Sequence, residues 1–276
     1  MDSMERLWIA QAKLFEEKGD PRVKHWPLMK DPWHLVTLLV LYLIFVLWLG
    51  PRIMKRRKPK SLKLPIALYN VFQVWANYKI TMGVLDAGWK THYTFGCQPV
   101  DYSDNPDAVR MAELCWWTLF IKILELLETV FFVLRKKYEQ ASFLHLYHHV
   151  STLLFAWVLV KFIPGGMPTM YVLLNCSVHV VMYTYYLLTG LSTKLRTLLN
   201  PWKKYLTIIQ MVQFVLMVAH ASQALSPDCP LHACLPLSFI PNVLLVCCLF
   251  RRFYTRAYNP QAARPSPGRS KRKDTK

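Results

Sequence analysis

Seven apolar segments divide the sequence, at 33–50, 65–86, 112–134, 143–162, 168–190, 204–222 and 235–251. Each is 17–23 residues long. A bilayer core about 30 Å thick takes about 20 residues of helix, whereas a transmembrane strand needs only about ten. Inside hydrocarbon every backbone N–H and C=O must be satisfied within the protein, so segments of this length read as helices. The sequence therefore predicts an all-α polytopic membrane protein with seven transmembrane helices across 33–258. Several segments carry Asn, Gln, Lys, Glu or His, so hydropathy alone is expected to miss one or two. Residues 1–32 form an N-terminal segment. Residues 259–276 form a Pro-, Arg- and Lys-rich tail without apolar period, read as disordered and suited to anionic lipid.

The connecting loops set the orientation. The loop after the first segment carries Arg52, Lys55, Arg56, Arg57, Lys58, Lys60 and Lys63, and every second loop repeats the bias: Arg135, Lys136 and Lys137, then Lys194, Arg196, Lys203 and Lys204, then the tail from Arg251. The loops between them are neutral or acidic, with Asp101, Asp104, Asp107 and Asp228. The positive-inside rule puts the N-terminus on the luminal or external side and the C-terminus in the cytosol, and an odd number of crossings agrees with termini on opposite sides. The net charge of +18 thus lies between apolar segments rather than on one soluble face, and a nucleic-acid partner is not expected. Residues 1–32 mix six acids with six bases and hold no apolar core of a signal peptide; Leu7, Trp8, Leu14 and Phe15 suit a short interfacial helix or a solvated tail. The seven cysteines show no zinc spacing. Cys97, Cys229 and Cys234 fall in loops on the oxidising side, where a bridge from Cys97 to one of the other two, or free thiols, would be stable.

Polar residues inside the segments recur at helical spacing. In Phe143-Leu-His-Leu-Tyr-His-His-Val-Ser151, His145, His148 and His149 stand at i, i+3 and i+4 and share a helical face. One imidazole in a membrane helix is most often structural; three together point to chemistry. Lys122, Glu125 and Thr129 form a stripe in the third segment with Glu128 beside it, and the Lys–Glu pair neutralises itself whether its role is packing or substrate contact. The fifth segment places Asn175, His179, Met182, Tyr183 and Tyr186 on one side. Thr207, Gln210 and Gln213 follow in the sixth, and Asn70, Gln73 and Asn77 in the second. Such stripes enclose a polar cavity open toward the basic loops. An acyl-CoA matches that shape: its phosphates would meet Lys136, Lys137, Lys203, Lys204 and Arg251, and its acyl chain would run between apolar faces.

Two chemistries suit these histidines. A His-box metal oxygenase or desaturase needs about eight nitrogen donors for two irons, and only His145, His148, His149, His179 and at most His220 lie in the bundle, so carboxylates from Glu125 and Glu128 would be needed; a single metal stays open. Alternatively, an imidazole attacks a thioester to give an acyl-imidazole, a second His polarises the incoming group, and Asn175 donates to the developing enolate oxygen. That route uses no metal and no cofactor.

The motifs resemble those of one family, the elongases of very long chain fatty acids, 3-ketoacyl-CoA synthases of the endoplasmic reticulum membrane. The resemblance runs from Leu49-Gly-Pro-Arg-Ile-Met-Lys-Arg-Arg-Lys-Pro59 to about Tyr258. Lys122-Ile-Leu-Glu125-Leu-Leu-Glu128-Thr129 resembles KxxExxDT, with Glu128 where Asp is usual. Arg135-Lys136-Lys137 and the His145-Leu-Tyr-His148-His149 box follow in the family's order. Asn175 to Tyr186 resembles NxxxHxxMYxYY, and Thr207-Ile-Ile-Gln210-Met-Val-Gln213 matches TxxQxxQ. After the box, Val150 and Leu153 replace a polar residue and a Pro that members often carry.

The resemblance implies condensation of a long-chain acyl-CoA with malonyl-CoA, releasing CO2 and CoA and giving a 3-ketoacyl-CoA two carbons longer. It implies seven helices, six of them in an inverted barrel around an acyl tunnel. By the same analogy His148 accepts the acyl group, His179 assists the malonyl step, and His145 and His149 complete the box. Lys122, Glu125, Glu128, Tyr183, Tyr186, Gln210 and Gln213 would contact substrate, and Cys97 would bridge to Cys229. The partners implied are membrane lipid and the ketoreductase, dehydratase and enoyl reductase of the elongation cycle; a homo-oligomer is left open. Retention in the endoplasmic reticulum rests on the resemblance, since Lys273-Asp-Thr-Lys276 matches a dilysine signal only loosely. The competing classes are the metal oxygenase and a seven-helix lipid receptor or transporter, for which the His box would have no purpose.

Overall fold

The computed structural model describes residues 17–259, all-helical with no strand among them. The stretch around Leu7–Phe15 and the basic tail from residue 260 lie outside the described residues. The first long rod is α1 (Trp33–Ile44), a π turn (Phe45–Leu49) and α2 (Gly50–Lys55). There follow α3 (Lys63–Val84), extended by a second π turn (Leu85–Trp89), α4 (Pro106–Glu125), α5 (Leu127–Leu134), α6 (Phe143–Phe162), α7 (Thr169–Leu191), the short α8 (Thr193–Leu199), α9 (Lys203–Ser222) and α10 (Cys234–Tyr258). Among the described residues, five rods are long and apolar enough to cross a membrane: Trp33–Lys55, Phe143–Phe162, Thr169–Leu191, Thr193–Leu225 and Cys234–Tyr258. The chain is a multi-pass membrane protein. The two long rods outside that group, α3 and α4, hold Asn70, Gln73 and Asn77 and the Lys122–Glu125 pair, which lower their mean hydropathy.

Local sequence explains where the rods start and bend. Asn105 caps α4 by accepting from the Asp107 N–H at 3.1 Å, with Pro106 at the first helical position, where the missing N–H has no partner to lose. Ser142 caps α6 through the His145 N–H at 3.3 Å. Pro51 has no N–H for the preceding turn and its ring crowds the carbonyl four residues back. The helix opens to i→i+5 bonding just before it, with the Gly50 N–H on the Phe45 carbonyl. Gly50 also lets the first rod close on α5, because a Cβ there would stand 2.7 Å from Val133 Cγ1.

Packing partners close a ring. In spatial order α3, α4, α6, α10, α9 and α7 each pack on the next, and α7 returns to α3 in the most extensive contact of the molecule. The first rod stands outside this ring, against α5. Large apolar side chains such as Leu41, Leu47, Trp75, Val215 and Leu244 point outward, where lipid replaces water as solvent.

One end of the bundle is tied together covalently and by backbone contacts. Cys97 and Cys229 form a disulfide, while Cys234 is a free, exposed thiol. Residues 17–32 lie across the same end: the Asp20 N–H bonds the Lys161 carbonyl at 2.8 Å, Lys161 Nζ reaches the Met29 carbonyl, and the indoles of Trp157 and Trp116 donate to Leu28 and Pro27. Beside the disulfide, the turn between α6 and α7 is pinned by Met167 N–H to the Gln98 carbonyl at 2.8 Å. Gly166 there has φ +59°, and a Cβ would fall 2.5 Å from the Pro99 carbonyl oxygen. Gly166→Ala is expected to cost about 1–3 kcal/mol through left-handed backbone and that clash, read as a lower melting temperature in detergent. An unchanged melting temperature would mean the turn does not depend on this contact.

Candidate active site

The bundle buries an ion pair at its centre. Lys122 Nζ on α4 lies 2.8 and 2.9 Å from the two carboxylate oxygens of Glu125, one turn on, with the residues 4% and 0% exposed. His179 on α7 completes the group: its Nδ1 is 2.9 Å from Glu125 Oε1, and its Nε2 is 3.3 Å from Asn175 Nδ2. An ionised carboxylate only accepts, so the His179 proton sits on Nδ1 and Nε2 accepts from the Asn175 amide. The carboxylate thus sets the tautomer and aims the ring. Asn175 Oδ1 has no hydrogen-bond partner among the described residues.

A second polar cluster lies where the helix breaks at Leu126. Leu126 and Thr129 N–H groups bond three residues back rather than four, so Glu128 and Thr129 turn away from His179 toward the histidine box. Thr129 Oγ1 is 2.9 Å from His145 Nε2. His149 Nε2 is 3.8 Å from Glu128 Oε2, and the His145 and His149 rings are 4.3 Å apart. Tyr69 joins the cluster from α3, 3.4 Å from both Glu128 Oε1 and the Tyr183 hydroxyl, and accepts from Gln73 Nε2 at 3.0 Å. Asn77 supports Gln73 from the next turn at 2.8 Å and 3.1 Å.

The three box histidines do not act as one wall. His145 and His149, four residues apart, turn to Glu128 and Thr129, whereas His148 faces the Phe214 and Phe250 rings at 6.5 and 6.0 Å. On a helix of 3.6 residues per turn, successive residues diverge by about 100°, so adjacent His148 and His149 front different spaces. His148 lines an apolar cavity of about 150 Å³ whose polar lining includes Lys122, Thr152, Asn175 and Gln213. From there it runs between Phe155, Tyr171 and Phe239 to Leu235 and Pro236, at the end that the disulfide ties.

The other residues singled out in the sequence separate into two sets. Gln213 faces the cavity, with Oε1 unpartnered and Nε2 3.8 Å from Met217 Sδ. Gln210 Nε2 donates to Met182 Sδ at 3.4 Å. Tyr183 is fully buried, while Tyr186 is 41% exposed and packs on the Tyr183 ring. Lys136 reaches the Lys55 carbonyl at 3.4 Å, and Lys137, Lys203 and Lys204 are exposed; none of the four lines the cavity. His220 is buried between the Trp89 and Tyr171 rings, apart from both clusters. Tyr69 and Tyr42 are participants that periodicity passed over. Tyr69 stands one turn before Gln73 on a stripe already polar, and Tyr42 is a hydroxyl midway along an apolar span, where Tyr is unusual.

The ligating atoms of Glu128, His145 and His149 lie within 4.8 Å of one another, a set that could take a single metal ion. A second metal would need Glu125, and that carboxylate is bound on both oxygens by Lys122 and by His179. Removing one member of the buried pair strands the other. Lys122→Met is expected to cost about 3–5 kcal/mol, with the double substitution Lys122→Met/Glu125→Leu less destabilising, as measured by thermal melting of purified protein. A single variant as stable as the wild type would show that the pair carries no stability.

Comparison with known proteins finds relatives along most of the chain. The profile of the ELO: GNS1/SUR4 family matches residues 27–266. A very long chain fatty acid elongase of Aedes aegypti is 44% identical over 252 residues, 88% of this chain and 68% of its own length. Very long chain fatty acid elongase 4 of Mus musculus is 40% identical over 241 residues, 87% of this chain and 77% of its own. Very long chain fatty acid elongase 1 of Homo sapiens is 44% identical over 218 residues, 78% and 77% of the two chains. With its buried Lys–Glu–His group, its histidine box and these relatives, the chain belongs to the GNS1/SUR4 family of very long chain fatty acid elongases.

Proposed function

We propose that this elongase catalyses the condensing step, joining a long-chain acyl-CoA to malonyl-CoA and releasing CoA and CO2. The observation that carries the reading is the cavity that starts at His148, Lys122, Asn175 and Gln213 and continues apolar toward the disulfide end. A thioester carbonyl at the polar end would leave the acyl chain in the apolar part, sheltered from water. The closed packing order of six helices supports a barrel around this tunnel, with the first rod as a seventh crossing outside it. The basic loops support an N-terminus in the lumen of the endoplasmic reticulum and a cytosolic entrance, where Lys136, Lys137, Lys203 and Lys204 meet the CoA phosphates.

In the first half-reaction an imidazole nitrogen of His148 attacks the thioester carbonyl, the C–S bond breaks, and CoA leaves with the imidazole proton. The acyl-imidazole is activated toward carbon nucleophiles. Malonyl-CoA then loses CO2, and the electron pair of that C–C bond becomes an enolate; Lys122 and the Asn175 amide line the cavity and can donate to its oxygen. The enolate carbon attacks the acyl carbonyl and the C–N bond to the ring breaks; the departing imidazole nitrogen takes up one proton from solvent, which replaces the one lost with CoA, and the product is a 3-ketoacyl-CoA. His179, oriented by Glu125, accepts from the Asn175 amide through Nε2 and so aims that amide, whose second N–H stays available, for the malonyl step. The ketone product is the substrate class of a reductase, so the remaining enzymes of the cycle are its partners. No cofactor enters this sequence.

Purified protein given a long-chain acyl-CoA without malonyl-CoA is expected to gain one acyl mass on the peptide containing His148, and to lose it when malonyl-CoA is added. His148→Ala should abolish both the adduct and the 3-ketoacyl product. Turnover without any adduct would remove the covalent route. Activity that falls on chelation and returns with a divalent ion would instead favour metal chemistry at Glu128, His145 and His149.

A further inference from the structure

The first rod stands outside the helix ring, yet it sends one hydroxyl toward the histidine box. Tyr42 is 8% exposed, and its OH lies 2.7 Å from Thr129 Oγ1, which in turn lies 2.9 Å from His145 Nε2. A phenylalanine would fill the same volume, and a phenol buried midway along a span is costly unless it is hydrogen-bonded. Thr129 departs from the habit of threonines elsewhere in these helices. Thr118, Thr152, Thr184 and Thr189 each return the hydroxyl to the carbonyl four residues back, at 2.7–2.9 Å. The Thr129 hydroxyl instead bridges two side chains from different helices.

We propose that Tyr42 is a positioning residue for the histidine box, acting with Thr129 to fix the ring and the tautomer of His145. The inference rests on the condensing reading of the site. The direction of the two bonds follows from counting protons. If the phenol donates to Thr129 and Thr129 donates to His145 Nε2, every hydroxyl proton has an acceptor, and the His145 proton sits on Nδ1. The reverse order leaves the phenolic proton buried without an acceptor, which is unfavourable. His145 is thereby held against the His149 ring at 4.3 Å and the Phe132 ring at 5.2 Å, one turn before His148. Without the pair, the ring is free to rotate and both tautomers become available.

The test uses the full chain in membranes or detergent, with Tyr42→Phe, Thr129→Val, Thr129→Ser and the double Tyr42→Phe/Thr129→Val. Tyr42→Phe and Thr129→Val should each lower kcat about three- to tenfold, the range one neutral hydrogen bond commands, with KM for both CoA substrates nearly unchanged. Thr129→Ser keeps the hydroxyl and should recover most of the rate. Because the two residues act through one chain, the double variant should be no slower than the slower single one. Losses that multiply in the double variant, or a Thr129→Ser protein as slow as Thr129→Val, would overturn the proposal. Solid-state NMR of protein labelled with 15N-histidine gives a readout independent of turnover, the His145 signal being assigned by its loss in His145→Gln. Its Nε2 should be unprotonated in the wild type and mixed in Tyr42→Phe; the same spectrum in both would refute the tautomer assignment. Should the wild type fail to condense malonyl-CoA, the functional reading would fall and this spectrum would still decide the role of Tyr42.

Discussion

A lysine ammonium and a glutamate carboxylate 2.8 Å apart, both buried within the bundle, sit at the heart of its polar side chains. Neither charge could be buried alone at that depth. Their pairing allows α4 to carry polar groups through the bundle, and the carboxylate also accepts a hydrogen bond from His179 Nδ1–H. The geometry of α7 against α4 is therefore tied to a charge pair, with less freedom than apolar packing would leave. The helix break just after Glu125 depends on the same region: it ends the stripe that faces His179 and starts the one that faces His145 and His149.

The two clusters of the candidate site face different directions. Lys122, His148, Asn175 and Gln213 border the apolar cavity and can meet a substrate. Glu128, Thr129, His145 and His149 form a polar layer behind it, with Thr129 hydrogen-bonded to His145 and Glu128 3.8 Å from His149, supported from α3 by Tyr69 and from outside the ring by Tyr42. A reactive imidazole works only if its ring is held, and in a helical membrane protein the holding groups must come from neighbouring helices, because each helix backbone is already internally satisfied. The disulfide end supplies the other constraint: the Cys97–Cys229 link and the turn at Gly166 join loops around the apolar tip of the cavity.

Much of this was legible from residue spacing. Segment lengths near those of membrane helices, and loop charges that alternate, defined a multi-pass helical bundle before any packing was known. The pairing of Lys122 with Glu125 follows from their three-residue spacing, since such neighbours meet on any helix. Among the described residues, hydropathy by itself recognises five of the seven long rods, because α3 and α4 hold polar groups of the candidate site. Motif order led to the family.

What the sequence by itself determined is local: which segments are helical, which helix faces are polar, and which residues one turn apart meet. Tertiary structure alone decided how those faces are shared out. It set His148 toward the cavity while turning His145 and His149 away from it, placed His179 on Glu125, left Gln210 on Met182, and brought Tyr42 in from a helix outside the ring. The physical reason is that helical periodicity fixes a side chain's direction only relative to its own axis. The rotation of that axis against its neighbours is chosen by the whole set of packing contacts and buried hydrogen bonds at once.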